Sequence, residues 1–369
     1  MKIHAIEYKN EATGLEIAKT TFEPLTLLVG VSGVGKTLIL RSLYKMVQWM
    51  SDRKPRGLDA WGDKFSTNAQ FRMEFMIDDK LCQWGFKTRP VGWSSSQISQ
   101  LSLTEEKLFI DGEEIFNRHD EVVEMAGYSN LPSISPDRSV LSIFKTEKRI
   151  LRINEQLKQV FLFESDPDLN NYITANNFQS LREYVQSNYQ WFINDATVNS
   201  LAKLAVIAYV RPDVLEEVKA SFTHIFPTIE DIKAEVVGDY VMLAIKEHGV
   251  WIYQNDISCG MLKTLAHIVN FRILPTESVL LIDELENSLG INCIDSVVEE
   301  LIAGRRDLQF IVTSHHPYII NNIPSSCWKV VRRKGAVITA VPAQDLDIGV
   351  SSQESFFQLM NALNFNGSM

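Results

Sequence analysis

Residues 23–40 read EPLTLLVGVSGVGKTLIL, and they decide what kind of chain this is. Pro24 interrupts what precedes it, and LTLLV at 25–29 is a short apolar run suited to a buried strand. From Thr37 the pattern TLILRSLYKMVQWM has helical spacing, with Leu38, Leu40, Leu43, Met46 and Val47 on one apolar side. Between strand and helix lies GVSGVGKT at 30–37. Gly30, Gly33 and Gly35 let the backbone wrap around an anion with its N–H groups pointing inward, and a helix starting near Lys36 adds its positive end. At this spacing Lys36 reaches the β- and γ-phosphates of a nucleotide and Thr37 offers a hydroxyl to Mg²⁺.

Working outward, residues 2–8 and 16–21 alternate like strands around an EATG turn, and 69–77 and 81–87 read as another strand pair. The segments 140–163, 180–194 and 198–210 have helical spacing, and a further helix follows with Pro212 in its first turn. Strand patterns return between 232 and 254. The expected organisation is a nucleotide-binding core formed by residues 1–100 and 231–345, a mostly helical insert lobe at 101–230, and a C-terminal tail at 346–369.

Two further strands carry chemistry. In SVLLIDELENSLG at 278–290, the apolar run Val279 to Ile282 ends in Asp283 and Glu284. Two carboxylates at the end of a buried strand are unfavourable unless a cation or substrate uses them. Asp283 is placed to hold Mg²⁺, and Glu284 to polarise the water that attacks the γ-phosphate. In QFIVTSHHPYII at 309–320, an apolar strand leads into Thr313, Ser314 and His315. A histidine just past such a strand end can hydrogen-bond a γ-phosphate, and the interval from the acidic pair fits one helix plus one strand.

The 369 residues provide ample apolar content for a core, with 45% hydrophobic and 22% charged residues. The opening MKIHAIEYKN lacks the apolar stretch of a secretory signal, and no run approaches ~20 apolar residues. Four scattered cysteines without a CxxC pair fit a reducing compartment and give no zinc site. A cytoplasmic location and no membrane partner are therefore expected. The net charge of -10 repels nucleic acid globally, so DNA binding needs a local patch. DRKPR at 52–56, EKRILR at 147–152 and RRK at 332–334 are the short candidates, each expected to be a solvated face.

Taken together, these motifs resemble the ABC-type ATPases. NDISCGMLKTLAHI at 255–268 resembles their signature motif, with Ser258, Gly260 and Lys263 at its serine, glycine and basic positions. The order of motifs is similar to that of the soluble SMC-like, RecF-like and overcoming-lysogenization-defect ATPases, and most similar to short bacterial AAA family ATPases that stand alone in anti-phage systems. The resemblance implies an α/β P-loop NTPase fold, a mixed sheet flanked by helices. It implies ATP and Mg²⁺ as cofactors. The nucleotide-binding set is Gly30, Ser32, Gly33, Val34, Gly35, Lys36, Thr37 and Leu38, with Ser258, Gly260 and Lys263 contributed across an ATP sandwich. Thr37 and Asp283 hold the metal, and Glu284, His315 and Lys36 are catalytic. The chain departs from the family pattern at Ser32 (usually asparagine), at Cys259 inside the signature, at Gly290 (commonly histidine) and at His316 (usually serine). None removes a group needed for hydrolysis. The Mg²⁺-sensing glutamine is not assignable; Gln70 and Gln83 are both candidates.

A signature motif implies a nucleotide-dependent homodimer, with higher oligomers as an extension. The sequence offers no room for a nuclease domain after His315 and no long heptad array. The expected role is an ATP-hydrolysing sensor or regulatory subunit that controls a separately encoded nuclease or toxin. The alternatives are a RecF-like ATPase with DNA as its partner and a scaffold that holds ATP structurally.

Overall fold

The computed structural model describes residues 1–51, 68–94, 97–163, 172–195, 198–287, 289–303, 307–346, 348 and 358. The DRKPR stretch and nearly all of the 346–369 tail lie outside the described residues. In chain order the elements are β1 (Lys2–Asn10), β2 (Glu16–Thr21), β3 (Leu25–Val29), α1 (Lys36–Met50), β4 (Ala69–Ile77), β5 (Lys80–Ser94), β6 (Gln97–Ile110), β7 (Glu113–His119), β8 (Val122–Met125), α2 (Val140–Ile143), α3 (Lys148–Leu157) and β9 (Val160–Phe163). There follow β10 (Ile173–Thr174), α4 (Phe178–Ser187), α5 (Tyr189–Asn194), α6 (Ser200–Val210), α7 (Pro212–Ile225), β11 (Ile229–Val237), β12 (Tyr240–Glu247), β13 (Val250–Tyr253) and α8 (Cys259–Ile273). The chain closes with β14 (Val279–Ile282), α9 (Ile291–Ala303), β15 (Gln309–Thr313), α10 (Pro317–Asn322), β16 (Trp328–Lys334) and β17 (Val337–Pro342).

Two compact units emerge. The first comprises Met1–Leu162, Glu277–Asp283 and Asp307–Met369; the second comprises Phe163–Thr276 and Glu284–Arg306. The first unit is built on one mixed sheet, ordered β8-β7-β6-β5-β4-β1-β2-β17-β16-β3-β15-β14-β9 among the described residues. At one end β16, β3, β15 and β14 run parallel. Their central members are buried on both faces and read as continuous apolar runs, as parallel strands do. The other end is an antiparallel wing in which β4 alternates, burying Ala69, Phe71, Met73, Phe75 and Ile77 and turning the residues between them outward. Phe71, Trp84 and Phe86 pack together under it. Helix α1 lays Ile39, Leu40, Leu43, Met46 and Val47 into the same core as Leu28, Val279, Leu281, Ile311 and Val331.

A buried carboxylate fastens the segment after β8 to this wing. Glu106 is fully buried and accepts from Trp84 Nε1 at 3.1 Å, Ser139 Oγ at 2.6 Å and the Val140 backbone N–H at 2.8 Å. Burial pushes its carboxyl up from the usual range, and these three donors and the nearby Arg118 charge oppose that rise. Arg118, also buried, donates to the carbonyl oxygens of Asp120, Ser135 and Arg138. The polar cost of burying both groups is met by hydrogen bonds on each side.

Three expectations change here. Residues 101–125, expected at the start of the mostly helical insert lobe although KLFIDGEEI alternates weakly, are strands: β6 pairs along β5, β7 along β6 and β8 along β7, extending the large sheet. The run VFLF at the end of the expected 140–163 helix is the strand β9, because four consecutive apolar residues do not distinguish a strand from a helix by periodicity. Conversely β11, β12 and β13, expected in the nucleotide-binding core, form with β10 the small antiparallel sheet of the second unit. The EKRILR patch is a paired surface: Arg149 binds Glu147, and Arg152 reaches Asp78 and Glu277.

The second unit packs helices against that small sheet. Helix α6 is apolar nearly all round and buries Leu201 to Ile207 without interruption, the pattern of a core helix; Lys203 within it donates to the Ile193 carbonyl at 2.7 Å. Helix α8 is buried from Leu262 to Phe271. Its His267 is 5% exposed, and Nε2 has no hydrogen-bond partner among the described residues. Burial, with a smaller contribution from the charge of Lys263, depresses its imidazole from 6.5 to about 3. The folded chain therefore keeps His267 neutral while the unfolded chain takes up a proton below about pH 6.5. The stabilisation is complete above that pH and is lost as pH falls toward 3, at about 1.4 kcal/mol per pH unit. Chemical denaturation at about pH 7 and pH 5 is expected to show this loss, and His267→Leu should remove most of it. An equally steep slope in the variant would assign the loss to other groups.

Candidate functional site

Three parallel strands deliver the candidate residues to one edge of the first unit's sheet. Leu28 of β3 is level with Thr313 of β15, and Val312 with Ile282 of β14. The next residues in each strand therefore come off the same carboxyl edge, where open α/β sheets place their ligands. From β3 the chain turns through 30–35 into α1, and Gly35 is the N-terminal cap of that helix at φ 108°. A side chain cannot be added at two of these turns. A Cβ on Gly30 would meet the Val331 carbonyl oxygen at 2.6 Å, and one on Gly35 would meet Ile338 Cδ1 at 2.4 Å. Gly33 has open space around it but a left-handed φ of 81°, which disfavours any other residue. Ser32 and Gly33 are exposed, and Val34, Gly35, Thr37 and Leu38 are half-buried.

Lys36, 8% exposed, folds back across the loop and donates to the carbonyl oxygens of Gly30 at 2.7 Å and Val31 at 3.1 Å. Its ammonium is thus held inside the ring of backbone that the loop describes. Beside it, Thr37 Oγ1 donates to Asp283 Oδ1 at 3.0 Å, and Thr313 Oγ1 donates to the same oxygen at 2.8 Å. Asp283 is 6% exposed at the end of a fully buried strand, so the two hydroxyls compensate its burial. Both use Oδ1 and neither uses Oδ2. A hydroxyl and a carboxylate, both hard oxygen donors, next to a phosphate-sized loop suit Mg²⁺, which binds through one or two carboxylates plus phosphate oxygens. Among the described residues no cluster of three or more His, Cys, Asp and Glu side chains makes a different metal site.

Glu284 follows Asp283 directly and is half-buried, with φ of 50°. A non-glycine residue in the left-handed region is uncommon, costs about 1–3 kcal/mol, and tends to occur where function requires it. His315 sits exposed in the short loop between β15 and α10. That loop is fixed by Ser314, fully buried, whose Oγ accepts the His316 N–H at 3.1 Å.

Within the second unit, Ser258 caps α8 and accepts from the Met261 N–H at 3.3 Å. Ser258 is exposed and Gly260 half-buried. Lys263 is 5% exposed within α8, so burial sets it apart from Ser258 and the helix start, where the signature reading had grouped all three. Gln70 and Gln83 lie on β4 and β5, separated from β3 in the sheet by β1, β2, β17 and β16, and Gln70 hydrogen-bonds Glu11. Gln70, near the start of β4 and opposite Lys9 near the end of β1, lies toward the same edge of the sheet as the end of β3, whereas Gln83, opposite Glu74, lies further from it.

The structure adds Thr313, whose position was visible in the sequence but whose hydroxyl had no assigned role, and the β16–β17 strands that close against Gly30 and Gly35. Thr313→Val preserves shape and deletes one donor to Asp283. It is expected to weaken Mg²⁺-dependent nucleotide binding about 10–100-fold, the scale for losing a group that orients a metal ligand, while leaving binding measured in EDTA little changed. Equal affinity of variant and wild type in Mg²⁺ would show that Thr313 does not position Asp283.

Comparison with known proteins accords with this geometry. No curated protein matches the chain. The fold is similar to two solved structures: the SmcHead bound to the C-winged helix domain of ScpA (12% identity, TM-score 0.53, 92% of this chain and 98% of that one) and the Smc head domain with an extended coiled coil bound to the C-terminal domain of ScpA derived from Pyrococcus furiosus (11% identity, TM-score 0.54, 98% and 99%). At such identities the likeness is one of fold, that of a P-loop ATPase head. A family model matches residues 92–321, a span that includes Ser258, Asp283, Glu284 and His315 and begins after the glycine-rich loop. That match covers more than half of the sequence, and the chain belongs to the family described as AAA domain, putative AbiEii toxin, type IV TA system.

Proposed function

We propose that this protein binds ATP with Mg²⁺ at residues 30–38, hydrolyses it, and works as a nucleotide-dependent homodimeric switch. The observation that carries this reading is the arrangement of Lys36, Thr37, Asp283 and Thr313, in which one oxygen of a buried carboxylate accepts two hydroxyls beside a lysine folded into a glycine loop. Lys36 exchanges two neutral carbonyl partners for phosphate oxygens, which hold an ammonium more strongly. Thr37 and Asp283 hold the metal, which when bound neutralises charge on the phosphate oxygens. Glu284 takes the proton of the attacking water, and His315 donates to the γ-phosphate. Ser258, exposed at the start of the fifteen-residue helix α8, meets the nucleotide of a second copy with the helix's positive end.

In this reading the switch regulates a separate effector in bacterial anti-phage defence. The family's description names a putative toxin of a type IV TA system; that description is of the matched domain and not of a separate effector. Among the described residues no helix is long and apolar enough to cross a membrane, and none is required.

Glu284→Gln tests the reading. It keeps size and hydrogen bonding but cannot accept a proton, so ATP hydrolysis should fall about 10²–10⁴-fold while binding survives. With ATP intact, light scattering should show a dimer that persists in Mg²⁺. Turnover at the wild-type rate, or an ATP-bound monomer, would overturn the assignment of Glu284 or of the assembly. Hydrolysis strongly stimulated by duplex DNA in the wild type would favour a RecF-like role, and retention of ATP without turnover a scaffold. Lys36→Ala is the companion variant, expected to abolish ATP binding in calorimetry.

A further inference from the structure

The stretch WKVVRRKGAV at 328–337 carries three consecutive cations, Arg332, Arg333 and Lys334, in a chain of net charge -10. The sequence alone reads them as a solvated face; the structure leaves Arg333 and Lys334 exposed and shows what lies beside them. Strand β16 runs parallel to β3, and the last pair in their register is Val330 with Val29. Strand β3 then turns into the glycine-rich loop, while β16 continues through Val331, Arg332, Arg333 and Lys334 before the Gly335 turn returns the chain as β17. Four residues at ~3.3 Å each carry the hairpin about 13 Å past that pair, on the same edge as the loop.

The hairpin is packed against the loop. The Val331 carbonyl oxygen lies 2.6 Å from where a Gly30 Cβ would be, and Ile338 Cδ1 lies 2.4 Å from where a Gly35 Cβ would be. Ile338 is the cross-strand partner of Arg333, and in an antiparallel pair such partners project from the same face. Arg333 therefore stands on the face that touches the N-terminal cap of α1. Arg333 and Lys334 are exposed, and none of the three cations forms an ion pair among the described residues. The Nε of Arg332 is buried without an acceptor, and Arg333 Nε donates to the Gly335 carbonyl. The nearest acid in the register is Glu16, opposite Val337, and it is paired with Lys9.

We propose that the tip of the β16–β17 hairpin is a second positive wall of the phosphate-binding loop, with Arg333, on the face of Ile338, holding the triphosphate of a nucleotide and Lys334, at the turn, adding its charge to the approach. This rests on the nucleotide reading of that loop and adds two specific side chains to it. Two exposed cations suit a small polyanion; they are too few for a duplex site, in which about 6–10 phosphate contacts are usual.

The test compares ATP dissociation constants, by calorimetry on the full chain, for the wild type, Lys36→Ala and the double variant Arg333→Gln with Lys334→Gln. The double variant changes exposed side chains and should fold normally. Its affinity should fall about tenfold at about 50 mM salt, and the gap to wild type should narrow at about 300 mM. The charge-preserving double variant Arg333→Lys with Lys334→Arg should bind as wild type does; if it is as weak as the neutral one, the effect is structural and the inference fails. Wild-type affinity and salt dependence in the neutral variant, with binding lost in Lys36→Ala, would overturn the inference and leave the nucleotide reading intact. No ATP binding by the wild type would remove both.

Discussion

The carboxylate of Asp283 is the constraint around which the first unit's parallel strands are organised. It lies at the end of a fully buried strand, where an uncompensated charge is strongly unfavourable. Its compensation comes from two other chain segments: Thr37 at the start of α1 and Thr313 at the end of β15. For both hydroxyls to reach one oxygen, three strand ends must be level. The observed register supplies this, pairing Leu28 with Thr313 and Val312 with Ile282. A one-residue slip of β15 would turn Thr313 to the opposite face and leave the carboxylate with one donor fewer. The apolar strands make the register deep and the polar trio makes it specific.

A second constraint acts on the backbone of the loop. Gly30 and Gly35 are closed in by β16 and β17, through the Val331 carbonyl oxygen and the Ile338 side chain. The loop therefore owes its shape to contacts on its outside as well as to the conformational freedom of glycine. Such external packing is what holds the backbone N–H groups in a preformed concave arrangement, and preorganisation of this kind lessens the ordering that binding would otherwise require. The left-handed φ of Glu284 belongs to the same logic, with local strain maintained by the surrounding fold.

Much of this was legible in the residues. The strand–loop–helix reading of 23–40 and the apolar runs ending at Asp283 and Thr313 follow from patterns only a few residues long, and β3, α1, β14 and β15 stand where those patterns put them. What was not legible depends on pairing between distant segments. The weak alternation of KLFIDGEEI within residues 101–125 does not say whether such strands extend a sheet or begin a new lobe, because that depends on the partner each strand finds. VFLF at 160–163 carries no period of its own. Lys263 was read as the basic position of the signature; its burial comes from packing along most of the length of the helix that carries it. The proximity of Arg333 to the glycine loop required two registers, β16 on β3 and β16 on β17.

Charge placement completes the physical picture. On the antiparallel wing basic and acidic side chains alternate as pairs: Lys19 with Glu74, Arg72 with Glu7, and Lys87 with Glu105. Exposed pairs of this kind add little stability, but they cancel one another's field and leave the surface without a strong preference for either sign. At the carboxyl edge of the parallel strands the pattern is different: a lysine held by carbonyls, a helix N-terminus and a basic hairpin without an ion pair among the described residues adjoin one loop, beside the buried carboxylate of Asp283. An acidic protein that is to hold a polyanion must concentrate its positive potential in a space no larger than the ligand, because the remainder of its surface opposes the approach. In the proposed reading, the paired charges of the wing and the cations beside the loop meet that requirement. The same arrangement favours a small polyanion over an extended one, whose remaining charges would lie over acidic or neutral surface.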